Sequence, residues 1–204
     1  MFSEDMSHLL EDITAVLLAA KQDERDLILT IYGTGARISE VCRLTWEDVN
    51  LSSGAITLWT RKRKGGGLQP NAIMMTEKLK DVMQRRWNIR NKQSQFVFCK
   101  PDGTSYTKDS YFVRMMISKL CKRAGVKSFG YHSIRHKVAS ILMDSGKATL
   151  SNIQHFLRHN RPTTRENYLK SLNPGCQEMA DTLDDYQAGQ LDEVKSKEPQ
   201  SSSN

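Results

Sequence analysis

The chain has 204 residues, 38% of them hydrophobic, with a mean hydropathy of -0.55 and a formal net charge of +7. That length suffices for one domain with a real core, or a domain plus a tail, while no apolar run approaches the roughly 18–20 residues that span a bilayer. The N-terminus lacks a basic-then-apolar signal pattern, so a cytoplasmic protein is expected. Four scattered cysteines, Cys42, Cys99, Cys121 and Cys176, form no C-x-x-C pair, and His8, His136 and His155 show no metal-ligand spacing. Neither zinc, a disulfide framework nor any cofactor is implied, and His136 and His155 read as structural residues.

Charge is unevenly spread. Residues 51–170 carry 24 Lys or Arg against 6 Asp or Glu, whereas both flanks are acidic. An excess of that size points to a polyanion, and to counterion release on nucleic acid in particular. It does not identify a reaction.

The first 50 residues read as helices. Leu9, Leu10, Ile13, Val16, Leu17 and Ala20 repeat at helical spacing as core material. Leu27, Ile28 and Ile31 continue into a second helix, which Gly33 and Gly35 interrupt. Arg37 begins a third, with Ile38, Val41 and Cys42 facing inward and Arg37 and Glu40 together on another face. Taken alone, Arg37 reads as a surface arginine.

After the Asn50–Gly54 turn the pattern becomes strand-like. Residues 55–60 alternate, 61–67 form a turn with four basic residues and three glycines, and 71–75 return as a partner strand, giving a basic β-hairpin. A helix from Thr76 to about Arg90 follows, capped by Thr76, with Leu79, Val82, Met83 and Trp87 on one side and Arg85, Arg86 and Arg90 on an exposed face. Phe96–Phe98 reads as a short buried strand and Pro101–Gly103 as a turn. Thr107 is the expected cap of another helix, in which Tyr111, Phe112, Met115, Met116 and Leu120 pack and which Gly125 ends. Lys122, Arg123 and Lys127 beyond it are candidates for DNA backbone contact.

The densest chemistry lies between His132 and Tyr168. His132 and Arg135, three apart, share a helix face suited to one phosphate, opposite Ile134, Val138, Ile141 and Leu142. A second helix buries Ile153, Phe156 and Leu157 and ends at His159. Thr163 or Thr164 can cap a short third helix carrying Tyr168. A guanidinium grips phosphate oxygens and stays charged, imidazole donates a hydrogen bond or moves a proton, and a held electrophile lets a phenol act as nucleophile. The combination implies phosphoryl transfer to tyrosine.

His132-x-x-Arg135, Leu157-Arg158-His159 and Tyr168 nine residues later resemble the C-terminal signature of the tyrosine recombinases, the phage integrase family. Thr34-Gly35-Ala36-Arg37-Ile38-Ser39-Glu40-Val41 followed by Leu44-Thr45-Trp46 resembles that family's first arginine box. The resemblance spans about residues 1–175. It implies an α+β, mainly α, catalytic domain with a small antiparallel β-sheet, acting on double-stranded DNA as a homo-oligomer (tetramer), nucleoid-associated, without metal. It makes Tyr168 the nucleophile that forms a 3′-phosphotyrosyl link, Arg37 and Arg135 the phosphate clamp, and His132 and His159 the hydrogen-bond and proton partners. Glu40 would orient Arg37, and Lys64, with Lys62 second, would protonate the departing 5′ oxygen. Two positions depart from the pattern: Met74 stands where proline is usual, and Arg158 where glycine is usual. Family members normally carry an N-terminal helical domain that closes the DNA clamp, whereas this sequence starts almost at the catalytic domain, as a fragment or a shortened protein would. Residues 176–193 are expected to form a helical tail that docks on a neighbouring protomer, and residues 194–204 to be disordered. The competing readings are type IB topoisomerase-like relaxation of DNA and a non-catalytic DNA-binding module.

Overall fold

Among the described residues, seven helices α1–α7, a further helical segment and a three-stranded sheet follow from these patterns. The computed structural model describes residues 2–61, 67–106, 110–147, 149–158 and 179–189, with side chains from His8 onward. Helices α1 (Phe2–Ala19) and α2 (Gln22–Thr34) precede the short α3 (Ile38–Val41). Strands β1 (Val49–Asn50), β2 (Ala55–Arg61) and β3 (Leu68–Met74) form an antiparallel sheet in the order β1-β2-β3, before α4 (Glu77–Asn88), α5 (Tyr111–Ala124), α6 (Tyr131–Asp144) and α7 (Leu150–Phe156). The architecture is the expected mainly helical one with a small antiparallel sheet. None of the described helices is long and apolar enough to cross a membrane.

The apolar stripes make the core. Ile13, Val16 and Leu17 of α1 meet Ile28 and Ile31 of α2, Ile134, Val138 and Leu142 of α6, and Ile153 and Phe156 of α7 in one buried cluster. Fully burying side chains of this size contributes about 1.5–3 kcal/mol each. Gly33 lies inside α2 instead of interrupting it, and Gly35, in the left-handed region at φ +55, ends the helix. A Cβ on Gly35 would stand 2.7 Å from Leu157 Cδ2, so the α2–α3 turn lies directly against the end of α7. That contact brings positions more than 100 apart in sequence to one place.

Several expectations need correction. Helix α5 is capped by Ser110, whose side chain accepts from the Val113 N–H, and not by Thr107, which lies outside the described residues. Its buried face is Val113, Met116, Ile117, Leu120 and Cys121, whereas Tyr111 and Phe112 are exposed and Phe112 stacks on Tyr106. Phe96 makes an isolated bridge to Thr45 in place of a strand, although Val97 and Phe98 are buried as expected. The basic face of α4 is partly used internally. Arg85 pairs with buried Asp26 at 2.6 Å, and Arg86 with Asp23 at 2.9 Å while lying over the Phe98 ring. Arg123 pairs with Glu24 at 2.9 Å, an ion pair on the surface. The acidic first 50 residues thus neutralise part of the basic middle.

Residues 179–189 are helical and pack on their own chain. Met179, Ala180 and Leu183 are buried, and Lys78 donates through its backbone N–H and its ammonium to Asp184.

Candidate active site

Arg37 is the N-cap of α3, on extended backbone, and its position follows from the Gly35 turn. Its backbone N–H donates to Glu40 Oε2 and its Nη1 to Glu40 Oε1, both at 2.9 Å. The pairing expected from the three-residue spacing is therefore present, with the carboxylate buried and the guanidinium 40% exposed. Thr60 of β2 donates its hydroxyl to Glu40 Oε1 at 2.8 Å, tying the hairpin to the arginine turn. Arg61 and Leu68 are the last paired positions of that hairpin among the described residues; Lys62 and Lys64 lie outside them.

Arg135 does not share an exposed face with His132 as its spacing suggested. Its side chain is buried beside Ile134 and Val138, and its two terminal nitrogens donate to the backbone carbonyls of Gly35 and Leu157. One planar fork thereby joins the turn that presents Arg37 to the turn that leads to His159. Burial, then the charges of Arg158 and Arg37, push the Arg135 pKa down to about 9, which leaves it cationic at neutral pH. His132 is exposed in the first turn of α6, with its ring edge-on to His136 at 4.4 Å. His136 is thus an exposed neighbour of the site and not a core histidine. Partial desolvation, His136, Arg135 and Arg37 together lower the His132 pKa, so the neutral imidazole is favoured.

Arg158 is the residue that local reading placed least well. It adopts φ +56, the only positive φ of a non-glycine among the described residues, and its side chain turns inward, 3% exposed. Its Nη2 lies 3.2 Å from Glu40 Oε2, and its Nη1 donates to the carbonyls of Thr34 and Phe156. Burial pushes the Glu40 carboxyl up, but the Arg158 charge, the Arg37 N–H, the Thr60 hydroxyl and the Arg37 charge outweigh it and hold the group below its ordinary value. Two guanidiniums, Arg37 and Arg158, therefore pair with one carboxylate, and Arg135 lies within electrostatic reach of all three, an excess of positive charge suited to a bound anion. His159 and Tyr168 lie outside the described residues, so the site as described comprises Arg37, Glu40, Thr60, His132, Arg135 and Arg158. No three His, Cys, Asp or Glu side chains gather among the described residues as a metal site would require.

Comparison with known proteins gives the family and the fold. The chain is 26% identical over 170 residues to the tyrosine recombinase XerA of Thermococcus kodakarensis, covering 82% of this chain and 56% of that protein. It is 27% identical over 173 residues to XerC of Staphylococcus carnosus, covering 84% and 57% respectively. The chain thus spans a little over half the length of these relatives. In fold it resembles the integrase from mycobacterium phage Brujita, with a TM-score of 0.67, 20% identity, and coverage of 88% of this chain and 61% of that one. The XerA recombinase crystal structure gives a TM-score of 0.60 at 24% identity, covering 83% and 62%. The Tn1549 transposon integrase, solved in complex with circular intermediate DNA, gives 0.59 at 23%, covering 80% and 58%. The Phage integrase family model matches residues 3–173, and the chain belongs to that family.

Proposed function

We propose that this chain is the catalytic part of a site-specific DNA recombinase. Tyr168 attacks the scissile phosphate, the bond from phosphorus to the 5′ oxygen breaks, and a 3′-phosphotyrosyl link and a free 5′ hydroxyl result. Arg37 and Arg135 neutralise the nonbridging oxygens, His132 and His159 donate hydrogen bonds and handle the phenol proton, and Lys64 protonates the departing oxygen. Because the ester is conserved, the hydroxyl of a second strand reverses the step without ATP. The observation that carries this reading is the convergence of Arg37 and Arg135, 98 positions apart, on one turn-to-turn junction beside His132. The solved complexes of related folds with DNA support duplex DNA as the partner.

The test is a nicked duplex substrate that loses its short 5′ strand after cleavage, followed by denaturing electrophoresis. With no target site defined, pooled random duplexes at low salt are used, where nonspecific affinity is greatest. A protein–DNA adduct that vanishes in Tyr168→Phe is expected; DNA binding with no adduct would favour either a catalytic part that needs an N-terminal clamp or the binding-module reading, which fusing a helical clamp domain separates. Replacing the 5′ bridging oxygen with sulfur, a leaving group that needs no proton, should restore cleavage to Lys64→Ala but not to Arg37→Ala. Absence of rescue would take Lys64 out of the acid role and leave Lys62 to be tested the same way.

The tail completes the proposal. Residues 176–193 dock on a neighbouring protomer within a homo-tetramer on DNA, which requires the segment 179–189 to leave the seat it occupies on its own chain. Deleting residues 176–204 should alter both the oligomeric state on DNA and the cleavage rate. If sedimentation and kinetics are unchanged, the tail has no such role.

A further inference from the structure

Arg158 occupies left-handed backbone, where a side chain is disfavoured and glycine is not. What the side chain reaches therefore matters. It crosses under the site to the carbonyls of Thr34 at 3.2 Å and Phe156 at 2.9 Å, which fixes the guanidinium plane, and presents Nη2 to Glu40 Oε2 at 3.2 Å. The carboxylate is divided as a result. Its Oε1 takes Arg37 Nη1 and the Thr60 hydroxyl, and its Oε2 takes the Arg37 backbone N–H and faces Arg158.

Arginine and carboxylate prefer a two-pronged pairing. Were Oε2 released, the carboxylate could turn both oxygens onto the partly exposed Arg37 side chain and occupy donors beyond Nη1. We propose that Arg158 is a positioning residue for Arg37: it holds Glu40 so that the carboxylate engages Arg37 through a single side-chain nitrogen, leaving the outer donors of Arg37 for a DNA phosphate. Arg158 also shares the Glu40 charge, so the Arg37 charge is less cancelled. This inference rests on the reading of the chain as a DNA-cleaving enzyme.

The experiment is single-turnover adduct formation on the nicked duplex at saturating DNA, with Arg158→Gly, which suits the backbone conformation, and Arg158→Lys. Arg158→Gly is expected to slow cleavage by about 10- to 100-fold, the range for a misplaced orienting group. Dissociation constant and salt dependence should stay at wild-type values, since Arg158 touches no phosphate. Arg158→Lys, which keeps the charge, should recover part of the rate. In a Glu40→Gln background, Arg158→Gly should add no further loss, because it acts through Glu40.

A wild-type rate in Arg158→Gly overturns the inference, as do losses that multiply across the two sites. A salt slope lower by about one would also overturn it, by making Arg158 a direct phosphate contact. Thermal unfolding of each variant checks the fold, and if Arg158→Gly lacks a cooperative transition, Arg158→Lys carries the same readouts. Absence of an adduct from the wild-type protein removes the functional reading itself, an outcome distinct from an adduct that is insensitive to Arg158.

Discussion

Replacing Glu40 with alanine is expected to destabilise the fold by about 3–5 kcal/mol, the range for removing one partner of a buried charge pair. The carboxylate is 2% exposed, and its loss leaves the 3%-exposed Arg158 side chain without a counterion and the Thr60 hydroxyl and Arg37 N–H without their acceptor. For a chain of this size that corresponds to a fall in Tm of roughly 6–20 °C. Glu40→Gln keeps an acceptor but not the charge, and should lie between. The dependence on pH has a definite sign. Because the folded state holds the Glu40 pKa below its ordinary value of 4.5, the charge contributes fully above that value. The contribution is lost as pH falls through the folded pKa, so the deficit of Glu40→Gln should shrink on acidification. A fall in Tm under about 2 °C for Glu40→Ala at pH 7 would show that the network is not structural.

Arg37→Ala is expected to leave the fold nearly intact while removing cleavage. Its side chain is 40% exposed, so the pair with Glu40 contributes at most about 1 kcal/mol. Its outward donors, by contrast, would stabilise charge developing on the phosphate, a contribution of about 10²–10³ in rate for one preorganised donor. Arg37→Lys keeps the charge without the fork and should recover only part of the loss. Single-turnover adduct formation and thermal unfolding, measured on the same preparations, separate the two effects. Cleavage within threefold of wild type in Arg37→Ala would remove it from the phosphate clamp.

Local patterns carried much of this. The α1 stripe, the hairpin, the Thr76 cap and the Arg37–Glu40 pairing all depend on neighbours within a few positions, and each is present. Readings failed where distant segments decide. The Arg85 and Arg86 run looks like a solvated face until α2 supplies Asp26 and Asp23, some 60 positions away. In α5, two apolar faces compete in the sequence, and packing buries Val113 and Ile117 while leaving Tyr111 and Phe112 outside. The helical spacing of His132 and Arg135 was right, but neither the carbonyls that draw Arg135 inward nor the carboxylate that draws in Arg158 is visible from their own surroundings. For Arg158 the available signal was an arginine where the family pattern has glycine.

The Arg135 fork also has a consequence for synthesis on the ribosome. It bonds the carbonyls of Gly35 and Leu157, so the turn that presents Arg37 has no mate until about 120 further residues have been made. At ordinary elongation rates that interval is on the order of ten seconds. During it the nascent chain holds the acidic, helical N-terminal segment but not the assembled cluster of arginines. The arginine cluster closes only after α7 has been made, and a truncated translation product therefore lacks it.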